Sequence, residues 1–230
     1  QRADFRWGGS EAGTVGYPCW STFPNSFSHN KNLDTQRSHV ELLKHGDPDG
    51  KYWVPAMADA PLRGHNGRHE WFWEPGDEDA VYPLKDLVDM YYNSVGRNAT
   101  LILGLTPDSR GLVPEGDVQR LKEFGDKIDD LMGHPLKTVA GNGMKLEINL
   151  GKRQPVNQVV IQEEISNGER VRAYVVQGLT VGGWKTLCEG ESVGHKRIQT
   201  FKSSPVSRIR LLINESIDVP QIKNFSVYCN

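Results

Sequence analysis

The arrangement of apolar residues changes near residue 133, and this change limits the possible folds more than any other feature of the chain. Before it, a helical repeat that begins at Leu84 is followed by a continuous apolar strand, residues 99–105, and by a second amphipathic helix from about Asp117. This order predicts an α/β domain with parallel strands, whose functional loops follow the carboxyl ends of the strands. We expect the strand at 99–105 to be buried on both faces, as continuous apolar strands usually are.

After residue 133 the pattern consists of short alternating segments instead of helices. These segments are residues 159–162, 171–177, 196–201, 207–213 and 224–228. Asn167-Gly168, Gly182-Gly183 and Ser204-Pro205 lie between them and predict turns. Several short strands without a helix predict an antiparallel β-sandwich. We therefore expect two domains of different class, residues 1–133 and residues 134–230.

The charge distribution agrees with a boundary at residue 133. Residues 134–230 carry 13 Lys and Arg against 8 Asp and Glu, a net charge of +5, whereas the preceding part carries −7. The net charge of the whole chain is −2, which argues against a general nucleic-acid or membrane surface. No apolar run approaches the roughly 20 residues that a membrane-spanning helix needs.

The cysteines and glycosylation sequons say little about function. Cys19, Cys188 and Cys229 have no metal-binding spacing, and they could form one disulfide plus a free thiol or three buried thiols. Three sequons, of which the first begins at Asn98, support secretion only faintly. Asn98 also opens the apolar strand, where a glycan would obstruct packing. We expect an extracytoplasmic protein: secreted, periplasmic or lysosomal.

Glu11 lies in a glycine-rich segment that follows an Arg-Trp pair. Residues 6–13 read Arg-Trp-Gly-Gly-Ser-Glu-Ala-Gly, and the glycines supply the backbone freedom that a loop at a strand end needs. A carboxyl group between small residues suits the close approach of a ligand to such a loop. Because most glutamates of this kind are solvated loop residues, the hypothesis of a site depends on the rest of the chain.

Aromatic residues alternate with arginine and acidic residues between positions 59 and 74. The members of this cluster are Asp59, Arg63, His65, Arg68, His69, Glu70, Trp71, Phe72, Trp73 and Glu74. Tryptophan faces pack on the C–H surfaces of sugars while charged groups bond the hydroxyls, so the composition favours sugar binding, although a loop folded over a core would share it. His65 and His69 have a helical spacing, but Gly64 and Gly67 argue against a helix, and we expect no metal site.

With these residues assembled, the chain resembles the retaining α-L-fucosidases of glycoside hydrolase family 29. The matching blocks keep the order of the family and cover roughly residues 3–130. They are residues 6–13, 53–56 (Trp-Val-Pro-Ala), 61–63 (Pro-Leu-Arg), 71–72 (Trp-Phe), 91–98 (Tyr-Tyr-Asn-Ser-Val-Gly-Arg-Asn), 103–112 (Leu-Gly-Leu-Thr-Pro-Asp-Ser-Arg-Gly-Leu) and 118–125 (Val-Gln-Arg-Leu-Lys-Glu-Phe-Gly). The C-terminal strands resemble the galactose-binding-like module of these enzymes.

The resemblance implies the C-terminal part of a (β/α)8-type barrel followed by that β-sandwich. It implies release of terminal L-fucose from glycans, with a leaning towards α-1,3/1,4 linkages, and neither a cofactor nor a metal. In the branch that this chain resembles most, the glutamate of the Gly-x-Glu-Ala-Gly-like motif is the general acid/base, which corresponds to Glu11. Arg6 and Arg63 are candidates for contacts with sugar hydroxyls, and Trp71 for the apolar face near the fucose methyl group.

The chain departs from the family in its catalytic machinery. The family's nucleophile is an aspartate in an upstream Trp-Phe-Asp-Gly motif that this sequence does not contain, and the paired histidines that hold fucose are upstream as well. Ser10 stands where Asn is usual. Met57 stands where many members have Glu, and the absence of that rival acid favours Glu11. Glu70 is the second candidate for the acid.

Half a barrel would leave strand edges unpaired, so we expect a second polypeptide that carries the N-terminal half of the barrel. Two alternatives belong to other classes of protein. One is a non-catalytic carbohydrate-binding protein that uses the sandwich and the aromatic loop, and the other is a structural remnant without sugar affinity. Release of fucose on addition of the missing half would separate the enzyme from both.

Overall fold

The computed structural model describes residues 4–8, 10–24, 37–65 and 71–230. Three α-helices lie in these ranges: α1 (Arg37–His45), α2 (Leu84–Asn93) and α3 (Glu115–Met132). The strands are β1 (Arg6–Trp7), β2 (Thr22–Phe23), β3 (Tyr52–Trp53), β4 (Ala56–Pro61), β5 (Ala99–Gly104), β6 (Lys137–Asn142), β7 (Lys145–Glu163), β8 (Val171–Thr180), β9 (Gly183–Gly190), β10 (Arg197–Ser216) and β11 (Gln221–Tyr228). None of the described helices is long and apolar enough to cross a membrane.

α2 and α3 form where the apolar periodicity predicts helices. A proline precedes each of them, and α3 begins at Glu115, two residues before the predicted start. α2 buries Leu87 and Met90, and Leu121 and Phe124 of α3 pack against the same cluster. Val118, which the periodicity also predicts on the packed face of α3, is 46% exposed. The two helices therefore cover one side of the sheet described next.

β1, β4 and β5 form a parallel sheet in the order β1-β4-β5. Every second residue of β4, namely Ala56, Ala58 and Ala60, is buried. Leu101 and Leu103 of β5 share this face by register and pack against the cluster that α2 and α3 complete. Alanine side chains let the helices approach the central strand closely, so this face of the sheet is sealed.

The opposite face of the parallel sheet is uncovered in the described part of the chain. It carries Trp7, Met57, Asp59, Thr100 and Ile102, because Met57 pairs with both Trp7 and Thr100 while Asp59 pairs with Ile102. We call this surface the open face. Trp7 is 43% exposed and Ile102 is 41% exposed. The expectation that the strand at 99–105 is buried on both faces is therefore wrong for this structure, since the described residues supply no layer on that side.

The remaining strands, apart from the β2-β3 pair, form a six-stranded antiparallel sheet in the order β6-β11-β7-β10-β8-β9. Its buried core includes Ile148 and Ile161 from the two ends of β7, together with Val176, Leu211 and Phe225. The predicted segments 196–201 and 207–213 are joined in one strand, β10, which changes register on both sides of the pairs that Ser204 and Pro205 make.

The turn predicted at Ser204-Pro205 is therefore wrong. Pro205 pairs with Pro155 of β7. Two prolines are tolerated opposite each other because neither has an N–H group to contribute, and the irregular register absorbs the loss. All six strands lie in one hydrogen-bonded sheet, so the β-sandwich and the division into residues 1–133 and 134–230 stay predictions.

Connections next to strands β8 and β9 of the antiparallel sheet hold the segment that follows the Glu11 loop. The amide of Cys19 donates to Ser192 Oγ at 3.0 Å, and the amide of Ser21 donates to the two carboxylate oxygens of Glu169 at 3.2 and 3.0 Å. Asn98 adds hydrogen bonds from its Nδ2 to Cys19 O at 2.9 Å and to the Glu169 carboxylate. All five residues are buried, so the two sheets are joined through satisfied polar groups.

Candidate active site

Glu11 lies in a loop that interrupts the pairing between β1 and β4. The amide of Gly8 donates to Met57 O at 2.8 Å, and the next acceptor along β4, Asp59 O, receives the amide of Gly13 at 2.8 Å. In an uninterrupted parallel ladder, the second amide would belong to the residue two positions after Gly8. Three extra residues are therefore accommodated between these bonds. Glu11 is among the residues of this loop at the carboxyl end of β1, and its side chain is exposed.

Close contacts with the helix layer fix the end of this loop. Gly13 has a φ of 66°, and a Cβ atom there would lie 2.7 Å from the Sδ atom of Met90 in α2. A Cβ on Gly8 would lie 2.7 Å from Val15 Cγ1. Packing therefore requires glycine at both positions, and the positive φ adds a conformational requirement at Gly13.

Asp59 joins β4 to the start of the same loop. Trp7 Nε1 donates to Asp59 Oδ1 at 2.7 Å, and both side chains lie on the open face. Asp59 therefore accepts two hydrogen bonds: its main-chain carbonyl accepts the Gly13 amide, and its carboxylate accepts the Trp7 indole N–H. In the sequence, Asp59 belongs to the aromatic cluster, and its pattern predicts no role for it. Its position two residues after Met57 in an alternating strand is the signal that could have placed it on this face.

Trp71 lies over the carboxyl end of β5. A Cβ atom on Gly104, the last residue of β5, would lie 2.5 Å from Cζ3 of Trp71, so the indole ring rests on the backbone there. Trp71 is 36% exposed, and the neighbouring Phe72 is 84% exposed. The carboxyl edge of the parallel sheet thus presents Glu11 after β1, Asp59 within β4 and Trp71 over β5. Carboxylates and an indole surface at one edge of a sheet are groups suited to a sugar.

The structure places Arg6, a predicted sugar contact, away from the open face. Arg6 pairs with Ala56, so its side chain points to the sealed side of the sheet, and it is 2% exposed. Its Nη1 donates to Val54 O at 2.7 Å and its Nε donates to Leu43 O at 2.9 Å. Burial lowers the pKa of Arg6. The guanidinium of Arg6 bonds the segments that contain Leu43 and Val54, and it does not reach the open face.

Arg63, the other predicted sugar contact, is also buried and bonded within the chain. It is 1% exposed and lies between two buried aspartates. Nη2 and Nε bond the two carboxylate oxygens of Asp117 at 2.7 and 3.1 Å, and Nη1 bonds Asp77. Burial alone would lower the pKa of Arg63, but Asp117 and Asp77 offset this, and the pKa is raised. Arg63 therefore attaches the segment that follows Trp71 to α3, and its donors are occupied.

A cavity of about 660 Å³ lies beside the start of α3 and does not include Glu11. Arg63, Asp117 and Arg120 are part of its wall, and these charges are already paired, Arg120 with Glu123. Because these charged groups are already paired and Glu11 is not in the wall, we place the candidate active site on the open face instead.

Some predicted site residues fall outside the described ranges. The second candidate acid, Glu70, and the histidine considered for a metal site, His69, belong to residues 66–70, which the structure does not describe. Within the described ranges, no group of three or more His, Cys, Asp or Glu side chains is placed to hold a metal ion. Of the four site residues predicted from the sequence, Glu11 and Trp71 lie at the edge of the open face, and the two arginines do not.

Comparison with known proteins gives a consistent picture. The chain is 28% identical to α-L-fucosidase 1 of Arabidopsis thaliana, over 98% of this chain and 49% of the plant protein. A crystal structure from Bacteroides thetaiotaomicron, assigned as an α-L-fucosidase, is 58% identical with a TM-score of 0.96, over 100% of this chain and 52% of that one. A Ruminococcus gnavus GH29 fucosidase in complex with fucose is 27% identical with a TM-score of 0.81, over 97% of this chain and 50% of that one.

These relatives are glycoside hydrolases. Within that class it matches the C-terminal part of α-L-fucosidases of family 29, which confirms the resemblance drawn from its motifs. No family model matches the chain. The chain spans about half the length of the curated relatives and solved structures it matches.

Proposed function

We propose that this chain supplies the general acid/base, Glu11, of a retaining α-L-fucosidase that releases terminal L-fucose from glycans. The observation that carries the proposal is the position of Glu11 in a loop at the carboxyl end of a parallel strand, beside an open sheet face. Active sites of (β/α)8 enzymes form at that end of the strands. Relatives that are α-L-fucosidases, one of them with fucose bound, support the same reading.

The proposal includes a complementary half of the barrel. In the order β1-β4-β5, both outer strands have one edge without a partner among the described strands, and the open face exposes Trp7 and Ile102. Strands that closed a (β/α)8-type barrel would pair these edges and bury this face. The relatives are about twice as long as this chain, so the part of them that it does not cover has room for such a half. We propose a second polypeptide as its source, and a galactose-binding-like sandwich for the antiparallel sheet.

The chemistry needs two carboxyl groups about 5–5.5 Å apart. The nucleophile, contributed by the other half, would attack the anomeric carbon of fucose while Glu11 protonates the leaving oxygen. Glu11 would then take a proton from the water that releases fucose. Trp71 is suited to pack against the apolar face of the sugar. We further propose a preference for α-1,3/1,4-linked fucose in branched glycans and an extracytoplasmic location.

The decisive experiment replaces Glu11 by alanine in the complete barrel. An aryl fucoside with a good leaving group should still form the glycosyl-enzyme, because its departure needs no proton, whereas a natural fucosyl glycan should lose about 10²–10⁴-fold in kcat/KM. Added azide should restore turnover of the aryl fucoside and yield the α-fucosyl azide. Glu41→Ala, in the exposed part of α1, is the matched control. Equal loss on both substrates without azide rescue would exclude Glu11 as the acid/base.

Assembly is tested by the native mass of the purified protein. A species much heavier than 25.8 kDa that yields a second chain on denaturation supports a completed barrel. A folded monomer of 25.8 kDa without fucosidase activity contradicts the proposal for this chain. Binding of fucosyl glycans by that monomer would then favour the carbohydrate-binding alternative.

A further inference from the structure

Asp59 contacts both ends of the loop that carries Glu11, through two different groups. Its main-chain oxygen accepts the amide of Gly13, after the loop, at 2.8 Å. Its side-chain Oδ1 accepts the indole N–H of Trp7, before the loop, at 2.7 Å. Since Gly8 is also bonded to β4, through Met57 O, the loop that includes Glu11 departs from and returns to one short stretch of a single strand.

We propose that Asp59 is a positioning residue for Glu11, acting through Trp7. The inference rests on the proposed function of Glu11 as the acid/base. The backbone bond to Gly13 sets where the loop returns, and the side-chain bond to Trp7 sets the direction in which β1 enters it. An acid displaced by about 1 Å from the leaving oxygen can cost about 100-fold in rate, so the entry direction matters for catalysis.

The bond gains importance when the open face is covered. In the described chain Trp7 is 43% exposed, and a hydrogen bond to water competes with the one to Asp59. Strands of a complementary half would exclude that water and strengthen a charge-assisted bond of 2.7 Å. The experiment therefore belongs in the complete barrel and not in the isolated chain.

Substitutions can separate the positioning role from a direct role of the charge. Asp59→Asn keeps an oxygen acceptor for Trp7, so kcat should stay within roughly threefold of the unmodified enzyme. Asp59→Leu and Trp7→Phe each remove the bond, and each should lower kcat on a natural fucosyl glycan about 10- to 100-fold with little change in KM. The double variant Trp7→Phe/Asp59→Leu should lose no more than either single one.

Comparing substrates with good and poor leaving groups separates the positioning role from a purely structural one. A purely structural defect would lower kcat equally on both substrates. If the bond orients the acid, an aryl fucoside with a good leaving group should lose only a fewfold in kcat where the natural glycan loses about 10- to 100-fold. Asp49→Leu, in an exposed turn, and Trp53→Phe, in β3, are matched controls for the loss of a carboxylate and of an indole. Equal losses on both substrates, or an Asp59→Asn enzyme as impaired as Asp59→Leu, would overturn the proposal.

Hydrogen exchange separates this inference from the proposed function itself. The Gly13 amide should exchange about tenfold faster in Asp59→Leu and in Trp7→Phe than in the unmodified protein, because the loop loses one attachment. If the unmodified complete barrel releases no fucose, the proposed function fails, and the exchange result still decides whether Asp59 holds the loop. Unchanged exchange at Gly13 in both variants would refute the positioning role whatever the activity.

Discussion

Replacing Arg63 by methionine should loosen the segment that follows Trp71 without changing the KM for an aryl fucoside of the proposed complete barrel. Arg63, Asp77 and Asp117 are each no more than 1% exposed, and the guanidinium bonds both carboxylates. Methionine would remove the cation that bonds both carboxylates in this buried cluster. Breaking a buried pair by removing one partner costs about 3–5 kcal/mol. Lysine keeps the charge but lacks the fork that Asp117 accepts at two points, so Arg63→Lys should recover only part of this loss.

The amide of Tyr82 offers a local assay, since it donates to Leu62 O at 3.0 Å beside this ion pair. If the segment opens locally, a cost of 3–5 kcal/mol corresponds to about two to nearly four orders of magnitude faster hydrogen exchange at Tyr82. Arg110→Met is the matched control, because Arg110 bonds Asp108 in a similar way but is exposed at the surface. Its removal should leave exchange at Tyr82 unchanged.

The opposite pattern would refute this reasoning. If Arg63→Met leaves exchange at Tyr82 within threefold of the unmodified protein and raises KM for an aryl fucoside tenfold or more, Arg63 contacts the substrate. The sugar contact expected from the resemblance would then be right, and the structural role assigned here would be wrong.

Three further predictions follow from burial and packing. Cys229 is exposed whereas burial raises the pKa of Cys19 to about 11, so a maleimide at neutral pH should label Cys229 in the folded protein and Cys19 only after denaturation, as peptide mapping will show. Gly104→Ala should displace Trp71 and raise KM for fucosides severalfold at unchanged fold, and an unchanged KM would mean that Trp71 does not contact the sugar. Burial raises the pKa of Glu163, although hydrogen bonds from three backbone N–H groups oppose this. The pKa in the folded state therefore lies above the unfolded value of about 4.3. Glu163 stabilises the folded state fully below the unfolded pKa, and this stabilisation is lost as the pH rises through the folded pKa. Glu163→Gln should therefore show a shallower fall of the melting temperature with rising pH than the unmodified protein, and parallel profiles would contradict the shift.

The parts of the fold that depend on residues close together in the sequence could be predicted. α2 and α3 follow from apolar residues three and four positions apart, and β5 follows from a continuous apolar run. The burial of β5 could not be predicted in the same way, because the exposure of Ile102 depends on a layer that the described residues do not supply. Similarly, the turn signal at Ser204-Pro205 was overridden by pairing with β7, almost 50 positions away.

The candidate site divides along the same line. Glu11 could be predicted at a strand end from the local glycine pattern, and its loop is where that pattern places it. The role of the two arginines could not be predicted from the sequence. Arg6 donates to the carbonyl of Val54, 48 positions away, and Arg63 bonds the carboxylate of Asp117, 54 positions away. A charged residue beside an aromatic one looks the same in sequence whether it binds a sugar or joins two segments. Only the acceptors distinguish the two.

The acceptors that Ser192 and Glu169 offer to the amides of Cys19 and Ser21 restrict how this protein can be recombined with others. A chimera whose antiparallel sheet lacked acceptors at these two places would leave two buried main-chain N–H groups without hydrogen bonds. Each would cost about 1–3 kcal/mol, which is a large part of the stability of a typical domain. A chimera that exchanges this sheet must therefore keep the segment of Cys19 and Ser21 together with the two acceptors, Ser192 and Glu169.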